Sequence, residues 1–213
     1  IKGAGTDVIK IEGVERLIGG TYSIIPDQIE AGTYMSAIIA TRGDAIVKNV
    51  IPKHLDAITA KFIEMGATVE EFDDSVRVAA ESPLRQINVK TLPYPGFPTD
   101  LQPQIVALLS TVDGQSVVSE GVWDSRFQYV AELEKLGADI MVEGKRAIIN
   151  GGSPLIGANV AATDLRAGAS MIIAALAAEG STVISELRHI DRGYEHIVDK
   201  LKALGADIER TDD

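Results

Sequence analysis

Four charged side chains sit where this sequence could do chemistry. Asp100 closes the run Phe97-Pro-Thr-Asp, at the start of an apolar stretch. A carboxylate there can take a proton from a nearby hydroxyl. It can equally cap the helix that follows, because Asp is favoured at an N-cap. Arg192 lies in Asp191-Arg-Gly-Tyr, just before the last amphipathic segment. A cation beside a helix start, with Gly193 allowing close backbone approach, suits a phosphate-like anion. The alternative is a surface arginine paired with Asp191 or Glu195. Arg126 occupies the corresponding loop one repeat earlier. Arg166 follows Asp164 at the top of an apolar helix, where a cation is costly unless paired or facing a cleft. An internal ion pair of Asp164 with Arg166 or Arg192 is the competing reading. Together these types allow proton transfer beside a bound anion.

The elements that must hold these groups come from a repeat. The same phrase closes three segments, with Gly-Ala at Gly66, Gly137 and Gly205, about 70 residues apart. Each unit opens with a turn that carries an aspartate: Pro26-Asp27, Thr99-Asp100 and Thr163-Asp164. An apolar helix follows, then a Gly turn and a β-branched strand such as Ser116-Val-Val-Ser or Thr182-Val-Ile-Ser. A second, amphipathic helix has Ile197, Leu201 and Leu204 at helical spacing in the last unit. Gly in a left-handed C-cap ends it. A hairpin closes the unit, as in Ser75-Val-Arg-Val and Arg146-Ala-Ile-Ile. The first helix of each unit is apolar almost all round, as in Met171-Ile-Ile-Ala-Ala-Leu, so it must be buried on every side. The pattern predicts an α/β (α+β) fold of βαβαββ-type units, helices central and sheets outside, as an inside-out α/β barrel. Residues 1–18 read as the hairpin that ends a preceding unit. Residues 206–210 read as a strand whose partner comes from elsewhere.

Composition removes several alternatives. The 213 residues contain no cysteine, so disulfides, thiolate metal sites and a cysteine nucleophile are excluded within the chain. Three scattered histidines do not suggest a metal cluster, and no cofactor is implied. The net charge of −11 makes nucleic acid a poor partner, because phosphate backbones bind basic surfaces. No apolar run reaches the roughly 18 residues of a membrane span. No signal peptide is visible and the chain does not begin with Met. A cytoplasmic protein without a membrane partner is expected.

Longer phrases carry a family resemblance. Gly5-Thr-Asp, Ile11-Glu-Gly-Val, Ile25-Pro-Asp-Gln-Ile-Glu-Ala-Gly-Thr, Pro93-Tyr-Pro-Gly-Phe-Pro-Thr-Asp-Leu-Gln, Arg126-Phe, Ala162-Thr-Asp-Leu-Arg-Ala and His189-Ile-Asp-Arg-Gly-Tyr-Glu run in order through nearly the whole chain. They resemble the C-terminal half of the UDP-N-acetylglucosamine 1-carboxyvinyltransferases, within the EPSP synthase-like superfamily. The shikimate 3-phosphate enzymes share the fold but not the Pro-Gly-Phe-Pro-Thr-Asp or His-Ile-Asp-Arg-Gly-Tyr-Glu phrases.

The resemblance implies transfer of an enolpyruvyl group from phosphoenolpyruvate to the 3-hydroxyl of UDP-N-acetylglucosamine, in peptidoglycan synthesis. It places an acceptor-binding aspartate at Asp100 and a phosphoenolpyruvate-contacting arginine at Arg192. It places a backbone contact to the sugar nucleotide at Val122, with Arg126 and Arg166 as further substrate-binding candidates. Trp123, the single tryptophan, stands where a phenylalanine is familiar in the family; packing within its loop is the plainer reading. The implied partner is the N-terminal half of the enzyme, with the site between two lobes. Residues 1–24 would then be a remnant of the neighbouring domain plus a linker. Residues 25–213 would form one domain of three repeats, about 25–92, 93–158 and 159–213. The fragment is expected to be inactive alone. A non-catalytic module and a shikimate-type enzyme are the alternatives.

Overall fold

Repeated local signals produce repeated elements, in the order read from the sequence. The computed structural model describes residues 1–6 and 8–211. The first repeat comprises α1 (Gln28–Ala40), β1 (Asp44–Lys48), α2 (Asp56–Met65), β2 (Thr68–Glu71) and β3 (Ser75–Ala79). β4 (Asn88–Lys90) ends the first repeat and pairs into the sheet of the second, which comprises α3 (Gln102–Ser110), β5 (Gly114–Ser119), α4 (Val130–Lys135), β6 (Asp139–Glu143) and β7 (Arg146–Gly151). The third comprises β8 (Asn159–Ala161), α5 (Leu165–Ala177), β9 (Val183–Ser185), α6 (Arg188–Asp191) and α7 (Ile197–Ala203). The glycines of the shared phrase are left-handed, with φ of 106° at Gly66, 90° at Gly137 and 97° at Gly205. Only glycine takes that conformation without cost, so each second helix stops at the same place.

The first helices of the three units pack against one another. Met35, Ile39, Ile105, Leu108, Met171 and Ile173 are fully buried. Small residues seat neighbouring side chains: a Cβ on Gly32 would meet the Leu101 side chain, and one on Gly168 the Ile190 side chain. The hydroxyls inside this bundle stay satisfied by bonding back along their own helices, Ser36 to the Gly32 carbonyl and Ser110 to the Val106 carbonyl.

The sheets lie outside, as expected from helices apolar all round. One has the order β1-β3-β2, all antiparallel. The next has the order β4-β5-β7-β6, with β4 parallel to β5 and the rest antiparallel. The last is the parallel pair β8-β9. The strands thus form three separate sheets around a helical centre. Among the described residues, no helix is long and apolar enough to cross a membrane.

One expectation needs correction. Residues 1–18 do not form a hairpin ladder among the described positions; a single antiparallel bridge joins Lys2 and Lys10. Ile9, Ile11, Leu17 and Ile18 are exposed, so no core holds a register there. The strand expected at residues 206–210 takes its partner from outside this chain, so its lack of ladder bonds among the described residues does not bear on that expectation. An extended segment becomes a strand only through ladder hydrogen bonds, and among the described residues no strand offers them.

Gly151 at the end of β7 shows how tightly sheet and bundle meet. A Cβ there would stand 2.2 Å from the carbonyl oxygens of both Leu109 and Val112. Gly151→Ala is therefore expected to lower stability by about 1–3 kcal/mol, as overpacking does. The readout is a lower urea midpoint at unchanged m-value. An unchanged midpoint would mean that the end of α3 yields freely.

Candidate functional site

The four charged candidates come from distant parts of the chain, yet they line one cavity of about 420 Å³. Asp100 sits in a 3-10 turn, Thr99–Leu101, that leads into α3. Arg126 lies in the loop between β5 and α4, one residue after Ser125, which takes φ of 54°. Arg166 is in the first turn of α5. Arg192 follows α6 directly. The cavity therefore opens where two central helices begin, the end that favours negative charge.

The three repeat aspartates turn out not to be equivalent. Asp27 caps α1 by accepting from the Ile29 N–H at 2.7 Å. Asp164 caps α5 by accepting from the N–H groups of Arg166 and Ala167 at 2.8 and 2.9 Å. Asp100 caps nothing, because the 3-10 turn and Pro103 open α3 without a side-chain cap. Its carboxylate instead accepts from Arg126 Nη2 at 2.9 Å on one oxygen and from Arg166 Nη2 at 3.0 Å on the other. The N-cap reading of Asp100 is thereby overturned. So is the pairing of Arg166 with Asp164: the Arg166 guanidinium turns to Asp100 and Tyr194 instead.

Arg166 is held from behind as well as in front. Its Nη1 lies 3.4 Å from the hydroxyl of the buried Tyr194. The direction of that network follows from one proton. Thr33 Oγ1 donates to the Ile29 carbonyl, so the 2.9 Å bond between Thr33 and Tyr194 has Tyr194 donating. The Tyr194 oxygen is left to accept from Gln104 Nε2 and Arg166 Nη1. Burial works against the Arg166 charge, but the Tyr194 oxygen and the Asp100 carboxylate outweigh it, and its pKa is raised. The guanidinium is thus a fixed cation. The buried Tyr129 hydroxyl, also at the cavity, donates to Gln102 Oε1, and burial pushes this phenol up.

Arg192 is the exposed cation of the group. Its neighbour Asp191 does not pair with it: Arg210 takes both Asp191 oxygens at 2.9 and 2.6 Å and holds that carboxyl below the usual range. Among the described residues, no ion pair engages Arg192. Trp123 is not packed away within its loop as expected. It is 56% exposed, lines the cavity, and has the Arg126 guanidinium 5.9 Å from its ring centroid. Val122 does not line the cavity; its side chain is 43% exposed and its N–H is bound by Glu120. Sequence reasoning missed Tyr194, Gln104 and Glu120. Tyr194 stood inside the Asp-Arg-Gly-Tyr phrase, two residues from Arg192, and that adjacency was the available signal. Glu120 gave none, since a Glu beside a Gly reads as surface.

The three-unit α/β arrangement places this domain in a class of folds that solved structures also show. The enolpyruvyl transferase NikO from Streptomyces tendae superposes with a TM-score of 0.80 at 31% identity, over 87% of this chain and 44% of that one. An EPSP synthase from Acinetobacter baumannii shares the fold, with a TM-score of 0.76 at 21% identity over 89% of this chain and 48% of that one. Residues 1–201 match the family model described as EPSP synthase (3-phosphoshikimate 1-carboxyvinyltransferase), and the chain belongs to that family. Its relatives include a UDP-N-acetylglucosamine 1-carboxyvinyltransferase of Clostridium acetobutylicum, 61% identical over 99% of this chain and 50% of that protein. Another, of Desulfofundulus thermocisternus, is 54% identical over 99% of this chain and 87% of that protein. The chain spans about half the length of the first of these curated relatives.

Proposed function

We propose that this chain supplies one wall of a site where phosphoenolpyruvate gives its enolpyruvyl group to the 3-hydroxyl of UDP-N-acetylglucosamine. The opposite wall comes from the rest of a longer, cytoplasmic protein that makes peptidoglycan precursor. Residues 25–213 act as one domain, and residues 1–24 lead toward the other. The observation that carries this reading is the gathering of Asp100, Arg126, Arg166 and Arg192 around one cavity. The names of the relatives support the choice of acceptor.

The chemistry assigns a task to each group. Asp100 takes the proton of the acceptor hydroxyl as its oxygen bonds to C2 of phosphoenolpyruvate. An acid on the opposite wall protonates C3, which gives a tetrahedral intermediate. The C2–O bond to phosphate then breaks, C3 gives up a proton, and the double bond returns. Arg192 holds the phosphate-bearing substrate as a pre-placed cation. Arg126 and Arg166 grip both Asp100 oxygens and keep further N–H groups to offer the substrate, because a guanidinium carries five. The Val122 backbone, beside the cavity-lining Trp123, borders the part of the sugar nucleotide that reaches beyond the cavity.

The test is phosphate release from both substrates. The full-length protein is expected to turn over with UDP-N-acetylglucosamine, and the 213-residue chain is expected to release none. Turnover by the chain alone would sink the one-wall reading. Turnover with shikimate 3-phosphate in place of the sugar nucleotide would reassign the acceptor.

A further inference from the structure

Glu120 follows β5 directly and is only 3% exposed. Among the described residues no cation pairs with it. A buried carboxylate without a counter-charge is costly unless hydrogen bonds replace its water. Four donors do so. Oε1 accepts from Thr91 Oγ1 at 2.7 Å, from the Val122 N–H at 2.8 Å and from the Trp123 N–H at 3.0 Å. Oε2 accepts from Thr99 Oγ1 at 3.0 Å. Both carboxylate oxygens accept, Oε1 as the shared hub of three donors and Oε2 as the single link to Thr99.

The donors belong to three segments that meet at Glu120, two of which carry the cavity residues Asp100 and Trp123. Thr99 precedes Asp100 in the 3-10 turn. Val122 and Trp123 form the loop that carries Trp123 to the cavity and leads to Arg126. Thr91 extends the line of β4 and also accepts from the Gly121 N–H at 2.9 Å. That contact is close enough that a Cβ on Gly121 would fall 2.4 Å from the Thr91 carbonyl oxygen. Nothing else among these bonds joins the Asp100 turn to the 122–123 backbone.

We infer that Glu120 is a positioning residue that sets the separation between Asp100 and the 122–123 backbone edge, and so the seat of the acceptor. The inference rests on the function proposed above. Its two halves act on different kinetic constants. The Oε1 bonds shape the edge that receives the sugar nucleotide, and the Oε2 bond aims Asp100 through Thr99.

The experiment compares three variants of the full-length enzyme. Glu120→Gln keeps the amide oxygen for the three Oε1 donors and turns its NH₂ toward Thr99, whose hydroxyl can rotate to accept. Both KM values are expected within about threefold of wild type. Glu120→Ala loses all four bonds. Its KM for UDP-N-acetylglucosamine is expected to rise at least about tenfold while the KM for phosphoenolpyruvate stays within about threefold, one or two lost hydrogen bonds to a charged group being enough. Thr99→Val cuts the Oε2 bond alone and is expected to lower kcat about tenfold at unchanged acceptor KM. Should Glu120→Ala fail to fold, Glu120→Gln and Thr99→Val still decide. Equal changes in both KM values, or a Thr99→Val enzyme with wild-type kcat, would overturn the inference. A wild-type enzyme without turnover on these substrates would instead overturn the function beneath it.

Discussion

Asp100→Ala in the full-length enzyme is expected to lower kcat by about a hundredfold to ten-thousandfold, the range of a lost general base. Asp100 is the carboxylate between two guanidiniums at the cavity, and its side chain remains 42% exposed, so a substrate hydroxyl can reach it. The change also leaves Arg126 and Arg166 facing each other without the anion between them. A purely structural role would therefore show as lost stability with normal turnover per folded molecule. Asp100→Asn separates these effects. It keeps the shape and one acceptor oxygen but cannot take the proton, and it is expected to be nearly as slow as the alanine variant with a smaller loss in thermal midpoint. Steady-state kinetics with both substrates, alongside a melting curve, read the difference. Wild-type turnover in either variant would remove Asp100 from the chemistry.

Replacing Arg192 by methionine is expected to lower kcat/KM for phosphoenolpyruvate by about a hundredfold to a thousandfold, the loss typical when one donor to developing negative charge is removed. Methionine keeps length and flexibility and loses only the charge and the N–H fork. The side chain is exposed, and no ion pair holds it among the described residues, so folding should be little affected. The affinity for UDP-N-acetylglucosamine should change far less. Arg192→Lys is expected to recover only part of the loss, because an ammonium supplies charge without a bidentate fork. An unchanged kcat/KM for phosphoenolpyruvate in the methionine variant would move the anion site elsewhere in the cleft.

Both expectations place their effects on groups that are far apart in sequence. Asp100 meets Arg126 across 26 positions and Arg166 across 66. The Glu120 clamp spans 29 positions to Thr91 and 21 to Thr99. Such contacts have no local signature, since nothing in Ser119-Glu-Gly-Val distinguishes a buried acceptor from a solvated one. The same limit explains why Asp100 looked like its two counterparts. All three open a helix in the repeat pattern, but a 3-10 turn before α3 withdraws one of them from the cap and turns it toward two arginines.

What the chain alone determined is what short-range physics governs. Helix starts at Asp27 and Asp164, left-handed glycine stops at Gly66, Gly137 and Gly205, and helices apolar on every face all follow from neighbours within a few residues. Those rules repeat about every 70 residues, so the three-unit plan was legible, with helices inside and sheets outside. Tertiary structure decided which cation faces which anion, that Trp123 opens onto the cavity, and that Arg210 rather than Arg192 takes the Asp191 carboxylate. Ion pairs and strand ladders need a partner brought from elsewhere, and only the folded chain settles which partner arrives.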